Sequence, residues 1–145
     1  ALAARMTGRS YRCYALISDG ECNEGTIWEA AMLAAAQAVD NLCVVVDFNG
    51  WQATGRSREV MRIDPLEDKW EAFGWHVVMI DGHDFSAMAG AFEACAATRG
   101  QPSVVIAHTV KGKGVSFMED DNNWHYRTPN EDELRLALEE LQDHR

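Results

Sequence analysis

The residues best suited to chemistry are two turn dipeptides, each of which directly follows an apolar run. Asp19-Gly20 closes the first run, and Asn49-Gly50 closes the next one along the chain. A carboxylate and a carboxamide are hard oxygen ligands of the kind that Mg²⁺ prefers. If the two turns meet at one edge of a sheet, the pair predicts a Mg²⁺ site of the kind that carries a diphosphate.

The elements between these turns have lengths that would bring them together. Tyr11–Ile17 and Leu42–Phe48 are short runs rich in Val, Ile, Leu and aromatic residues and predict buried strands. Thr26–Val39, without Gly or Pro, predicts a helix. About 14 helical residues span ~21 Å, and a seven-residue strand spans ~23 Å. The helix therefore returns the chain to the start of the first strand. The second strand then runs parallel to the first and brings Asn49 level with Asp19, at the edge where α/β sheets bind ligands.

The rest of the chain continues this alternation. Trp75–Ile80 and Ser103–Ala107 predict two further strands, while Pro65–Phe73 and Phe85–Ala97 predict helices. Residues 50–64 lack a sustained period, so we expect an irregular surface loop near the site. The pattern predicts an α/β fold with a parallel sheet, right-handed crossovers and helices on both faces.

The two ends of the chain differ from this core. Residues 108–145 predict a loop followed by a helix, with Thr128 to Glu131 resembling a capping box. Leu134, Leu138 and Leu141 form one stripe, which predicts docking on the domain or on a partner. Because Ala1 to Met6 resembles the end of a helix, we expect 1–145 to be a single, partial domain that is truncated at its N-terminus.

Composition limits the classes of function. The chain has 145 residues, 47% of them hydrophobic, which is enough for one core. Its net charge is 13 − 23 = −10, which argues against nucleic acid or an anionic membrane as a partner. Because the sequence shows neither a signal peptide nor a long apolar stretch, we expect a cytoplasmic protein.

The four cysteines fall into two groups. Cys13, Cys43 and Cys95 fit a reduced core, whereas Cys22 is a candidate reactive thiol because it lies near the turns.

Several motifs resemble the thiamine-diphosphate fingerprint of the transketolase family. They are Ser18-Asp19-Gly20, Glu24-Gly25, Trp28-Glu29-Ala30, Asp40-Asn41-Leu42 and Asp47-Phe48-Asn49-Gly50. Thr109 to Glu119 and Trp124-His125 further resemble the amino-terminal, diphosphate-binding subunit of split, two-chain transketolases. The resemblance covers only the later part of the family's diphosphate-binding domain, because the family's earlier glycine-rich segment and its histidines would precede Ala1.

The resemblance implies roles for individual residues. Asp19, Asn49 and the backbone carbonyl of Trp51 match the family's metal ligands, with Mg²⁺ or Ca²⁺ as the cation. Gly20 and Glu21 would contact the cofactor, since Gly20 allows close approach of the diphosphate and the following helix start would provide unpaired N–H groups.

Other matches imply roles further from the metal. His125 matches a family histidine that reaches the cofactor phosphate and the substrate region. Glu24, and less clearly Glu29, match glutamates of an acidic network at the dimer interface; the alternative is a carboxylate stabilised by the helix dipole. Lys111 is either a phosphate ligand or part of a flexible basic loop. Two departures from the family pattern are Ser18 in place of glycine, and Tyr126 where glycine is common.

The implied activity is transfer of a two-carbon ketol unit between sugar phosphates, with thiamine diphosphate as cofactor. The family's activating glutamate lies in a pyrimidine-binding domain, so the resemblance implies an α2β2 assembly with a second, pyrimidine-binding subunit. Two alternatives remain open. One is the alpha subunit of a 2-oxoacid dehydrogenase or a deoxyxylulose-phosphate synthase, and the other is a non-catalytic interaction subunit with the same fold.

Overall fold

A computed structural model describes residues 1–143. The strands are β1 (Cys13–Ser18), β2 (Leu42–Phe48), β3 (Trp51–Gln52), β4 (Gly55–Arg56), β5 (His76–Asp81) and β6 (Ser103–His108). The helices are α1 (Leu2–Met6), α2 (Gly25–Ala36), α3 (Ser57–Val60), α4 (Leu66–Ala72), α5 (Phe85–Ala97) and α6 (Glu131–Asp143). No helix within this described part of the chain is long and apolar enough to cross a membrane.

The main sheet has four parallel strands in the order β1-β2-β6-β5. Strand side chains alternate between the two faces, and helices cover both. On one face, α2 and α4 pack over the sheet through residues such as Ala31 and Trp70, which share a core with Val44 and Ile106. On the other face, α5 packs through Cys95 and its neighbours. The predicted α/β class, with a parallel sheet covered on both faces, is therefore confirmed.

The predicted helices and strands are present, and their first and last residues differ from the predicted ones by a few positions at most. β2 and α5 have the predicted bounds, whereas β1 begins two residues later than predicted and α2 ends three residues earlier. The expected helix at the start of the chain is present as α1.

Two predictions of local structure were wrong. Residues 50–64 are not an irregular loop, because Trp51 pairs with Arg56 in a short antiparallel hairpin that α3 follows. The capping box of α6 is not Thr128 to Glu131. It is formed by Asn130 and Glu133. The backbone N–H of each residue donates to the side-chain oxygen of the other, at 2.9 Å in both cases.

The predicted docking of α6 on the domain is observed at its C-terminal half. The carboxylate of Glu140 accepts hydrogen bonds from the backbone N–H and the hydroxyl of Ser116, at 2.5 and 2.7 Å. Leu141 lies beside Gly114, so this turn of the helix rests on the segment that follows β6. Leu134 and Leu138 remain about half exposed.

Candidate functional site

The turns that follow β1 and β2 meet at the carboxyl edge of the sheet, as their spacing predicts. Ser18 is the register partner of Asp47, and the backbone N–H of Asp19 extends the ladder to the carbonyl of Asp47 at 3.2 Å. Asp19 is fully buried. The backbone N–H of Gly50 donates to Asp19 Oδ2 at 3.1 Å, which joins the second turn directly to the carboxylate of the first.

Asp19 is surrounded by hydrogen-bond donors. Besides Gly50, the hydroxyl of Ser57 donates to its Oδ2 at 2.6 Å, and the backbone N–H of Gly20 donates to its Oδ1 at 3.0 Å. Burial raises the pKa of Asp19, and these three hydrogen bonds oppose that effect. Ser57 was missed by sequence reasoning, because it lies in the segment that was expected to be irregular.

Asn49 is held with its amide in one orientation. Its Nδ2 donates to Asp47 Oδ2 at 3.1 Å, and its Oδ1 accepts from the backbone N–H of Trp51 at 2.9 Å. The hydroxyl of Thr109 donates to the other oxygen of Asp47. Asp47 and Thr109 were not among the predicted site residues, although both lie within the motifs quoted above.

The predicted metal ligands have the chemistry of a shared Mg²⁺ site. Asp19, Asn49 and Trp51 bring a carboxylate, a carboxamide and a carbonyl, all hard oxygen donors, to one turn region. Within residues 1–143 there is no group of three or more His, Cys, Asp or Glu side chains that could hold a metal ion. A cation held by these three donors would have to take its remaining ligands from phosphate and water oxygens.

Gly20 and Glu21 lie in the 3-10 turn between β1 and α2. A Cβ on Gly20 would stand 3.2 Å from the side chain of Gln52, while its backbone is right-handed, so the glycine matters here for space and not for an unusual φ. Ser18 and Glu21 form a reciprocal pair. The N–H of Glu21 donates to Ser18 Oγ at 3.1 Å, and the N–H of Ser18 donates to Glu21 Oε2 at 2.7 Å.

Hydrogen bonds also occupy the donors of the turn itself. The N–H groups of four successive residues, Gly20 to Asn23, all have acceptors within the turn, whereas the unpaired donors expected from the sequence belong to the start of α2, which follows it. The acceptors of Gly20 and Glu21 are side chains, of Asp19 and Ser18 respectively, whereas the next two N–H groups bond to backbone carbonyls. A side-chain movement would therefore release the first two donors.

Trp51 also joins the β3–β4 hairpin to the segment that carries His125. Its Nε1 donates to Asp120 Oδ1 at 2.8 Å, and the guanidinium of Arg56 lies 3.7 Å from its ring centroid while pairing with both oxygens of Asp120. Hydrogen bonding from Arg56 lowers the pKa of Asp120. We call Trp51, Arg56 and Asp120 the hairpin clasp.

His125 lies on the exposed rim, away from the direct contacts of Asp19. Its Nδ1 is 3.4 Å from Nζ of Lys111, and its ring packs edge-on against Tyr126. Lys111 and Asn49 both line an open cleft of about 690 Å³, which also includes Asp47 and Thr109. The structure thus places Lys111 between His125 and the turn residues.

Glu24 and Glu29 are exposed on the first part of α2. Glu24 is the N-cap residue of the helix, and its carboxylate makes no capping hydrogen bond to the first turn. Cys22 is fully buried, and burial raises the pKa of its thiol to about 12, with Asp19 and Glu21 adding to the effect. Cys22 is therefore not a reactive thiol in this fold.

Solved transketolases share this architecture. The transketolase of Campylobacter jejuni superimposes with a TM-score of 0.87 and 27% sequence identity, over 92% of this chain and 21% of the bacterial enzyme. The class of protein that this fold indicates is therefore that of the transketolases. A family model described as the thiamine diphosphate binding domain of transketolase matches residues 7–142. The chain belongs to the transketolase family.

Relatives among curated proteins include single subunits of split transketolases. One from Actinobacillus succinogenes, named for apulose-4-phosphate transketolase, is 43% identical over 99% of this chain and 51% of its own length. The 6-deoxy-6-sulfo-D-fructose transketolase subunit from Clostridium sp. strain MSTE9 is 42% identical over 98% of this chain and 52% of its own length. This chain therefore spans about half the length of these relatives.

Proposed function

We propose that this chain provides the diphosphate-binding part of a two-component transketolase, which transfers a two-carbon ketol unit between sugar phosphates. The observation that carries the proposal is the meeting of Asp19 with the Asn49-Gly50 turn, through the hydrogen bond from Gly50 to the buried carboxylate. Similarity to relatives named as transketolase subunits supports the same reading.

In this proposal Asp19, Asn49 and the carbonyl of Trp51 hold Mg²⁺, or Ca²⁺ in its place, and the cation binds the diphosphate of thiamine diphosphate. A chain with a net charge of −10 needs local help to hold an anionic cofactor, from a metal, helix amides or its few basic residues, and the cation would supply it. The buried carboxylate of Asp19 is suited to bind the cation, because a bound cation would offset the cost of burying its charge. Gly20 would allow close approach of the diphosphate, and Glu21 would contribute its backbone N–H once the side chain of Ser18 releases it.

Bound thiamine diphosphate supplies stabilisation of a carbanion, and the protein supplies binding, orientation and electrostatics. At the rim, His125 and Lys111 are suited to bind phosphate or substrate oxygens. Nζ of Lys111 lies 3.4 Å from Nδ1 of His125, so the two side chains would bind such an oxygen together.

The remaining components of the proposal concern the assembly. Glu24 presents an exposed carboxylate at the start of α2, which suits a contact with a neighbouring subunit in an acidic network. A pyrimidine-binding partner subunit would complete the cofactor site, in an α2β2 enzyme of the cytoplasm. The relatives' names specify a sugar phosphate and a sulfonated sugar. We propose an anionic ketose as the donor, because Lys111 lies in the cleft beside the turn residues.

Reconstitution with the partner subunit tests this function. The full-length protein and its partner would be incubated with thiamine diphosphate, Mg²⁺, a ketose phosphate and an aldose phosphate, and products would be followed by mass spectrometry. We expect an acceptor lengthened by two carbons, and none when the partner is omitted. Cofactor binding without any turnover would favour the non-catalytic alternative. A parallel incubation with a 2-oxoacid in place of the ketose phosphate tests the dehydrogenase or synthase alternative, which consumption of the 2-oxoacid would favour.

A further inference from the structure

We propose that Asp47 is a positioning residue that, held by Thr109, fixes the orientation of the Asn49 amide, so that Oδ1 and not Nδ2 is available to a bound cation. This inference rests on the proposed function, because it assigns a role towards the bound cation. It concerns orientation of a ligand, and Asp47 itself is not proposed as a ligand. The juxtaposition that carries it is the continuous chain of side-chain hydrogen bonds from Thr109 through Asp47 to Asn49.

The sheet places Asp47 at the centre of the binding edge. Its register partners are Ser18 on β1 and Ala107 on β6, so strands flank it on both sides. Val45, Asp47 and Asn49 line the same cleft, as the alternation of an extended strand requires of residues two apart. Asp47 and Asn49 therefore project side by side, one at the end of β2 and one in the turn that follows it.

The two partners of Asn49 make opposite demands on its amide. An ionised carboxylate only accepts hydrogen bonds, so the amide nitrogen must face Asp47, where Nδ2 lies 3.1 Å from Oδ2. A backbone N–H only donates, so the amide oxygen must face Trp51, where the distance is 2.9 Å. In a flipped amide, the oxygen would face the carboxylate of Asp47, which is acceptor against acceptor, and the NH₂ group would face the N–H of Trp51, which is donor against donor. The pair of contacts therefore selects one orientation.

Thr109 fixes Asp47 in turn. Its hydroxyl donates to Oδ1, which leaves Oδ2 for the amide of Asn49, and its own backbone N–H donates to the carbonyl of Phe48 at 3.2 Å. The donor is thus anchored by the extension of the β2–β6 ladder. Because hydrogen-bonded partners of metal ligands set ligand orientation, loss of such a partner typically weakens metal binding about 10- to 100-fold.

Asp47 also carries a negative charge close to Asp19, and that charge alone would attract a cation. The test must separate charge from orientation, and Thr109 allows this because its substitution leaves the charge unchanged. Thr109→Val removes only the hydroxyl and keeps the shape of the side chain, whereas Thr109→Ser keeps the donor. Asp47→Ala removes both the charge and the acceptor.

The experiment is a calorimetric titration of Mg²⁺ into the full-length protein assembled with its partner subunit, in the presence of thiamine diphosphate. Electron paramagnetic resonance of bound Mn²⁺ provides a second readout that does not depend on turnover. We expect Asp47→Ala to weaken Mg²⁺ binding by about 10- to 100-fold. Thr109→Val should weaken it by roughly 3- to 10-fold and alter the Mn²⁺ spectrum, while Thr109→Ser should retain the affinity and spectrum of the unsubstituted protein.

Each other outcome contradicts a specific claim. If Thr109→Val binds Mg²⁺ like the unsubstituted protein while Asp47→Ala does not, Asp47 acts through its charge and the positioning role is wrong. If both variants bind normally, Asp47 has no role towards the cation. If the unsubstituted assembly shows no Mg²⁺-dependent binding of thiamine diphosphate, the proposed function fails, and this inference fails with it.

Discussion

The backbone N–H of Gly50 donates a hydrogen bond of 3.1 Å to Oδ2 of Asp19, whose side chain is fully buried at the end of the neighbouring strand. This contact joins the turns after β1 and β2. A buried carboxylate that is surrounded by fixed donors is organised before any cation arrives. The geometry of the proposed site therefore follows from the register of two parallel strands.

Ser57 should stabilise the fold through Asp19. Ser57→Ala removes the 2.6 Å hydrogen bond to the buried carboxylate, so we expect a loss of about 1.5 to 3 kcal/mol in the free energy of unfolding. Urea denaturation without added Mg²⁺ measures it. Ser86→Ala, at an exposed position in α5, is the matched control and should change stability by less than about 0.5 kcal/mol. Equal effects of the two substitutions would contradict this role of Ser57.

Ser18 should limit cofactor affinity, because its hydroxyl occupies the N–H of Glu21. Ser18→Gly restores the residue found in the family pattern and frees that donor, so we expect thiamine diphosphate to bind roughly 2- to 10-fold more tightly. Calorimetry with the partner subunit present measures the change. Ser18→Ala also frees the N–H while keeping a Cβ, and it should shift affinity in the same direction. Unchanged affinity in both variants would mean that the diphosphate does not use the N–H of Glu21.

The hairpin clasp should order the segment that carries His125. Asp120→Asn removes the charge that Arg56 contacts, and it retains a residue type that tolerates the positive φ of 56° at this position. Because the ion pair is exposed, we expect a change of less than about 1 kcal/mol in global stability. Amide hydrogen exchange in residues 118–126 should nevertheless become faster. Equal exchange in both proteins would show that the clasp does not hold this segment.

The thiol of Cys22 should remain unreactive in the folded protein. Burial raises its pKa to about 12, and because thiolate forms by loss of the proton, a raised pKa keeps the thiol protonated at pH 8. Timed alkylation with iodoacetamide, followed by peptide mass spectrometry, should label the partly exposed Cys13 first. Cys22 should be labelled only under denaturing conditions. Rapid labelling of Cys22 in the native protein would contradict its burial.

The sequence predicted the elements that are defined by local pattern. β2 and α5 have the expected bounds because their apolar composition and flanking turn residues mark both ends. The meeting of Asp19 with the Asn49-Gly50 turn could be predicted from element lengths alone.

The rest of the site depends on contacts between distant segments. The β3–β4 hairpin has only two residues in each strand, which is too few for a periodic signal. Ser57 contacts Asp19, and Asp120 contacts Trp51, in each case across a long stretch of chain. The hydrogen bond from the N–H of Glu21 to Ser18 Oγ was also not predicted, because Ser18 was identified only as a departure from the family's glycine.

The most direct test of the central claim is a titration of thiamine diphosphate into the full-length protein and its partner, with and without Mg²⁺. Asp19→Ala is compared with Asp81→Ala as the control. Asp81 is followed by a glycine, like Asp19, but it lies at the end of β5, two strands away from β2. We predict Mg²⁺-dependent binding in the unsubstituted protein and in Asp81→Ala, and none in Asp19→Ala. Equal affinity in all three proteins, or binding that does not require Mg²⁺, would contradict the claim that Asp19 and Asn49 hold a cation for the diphosphate.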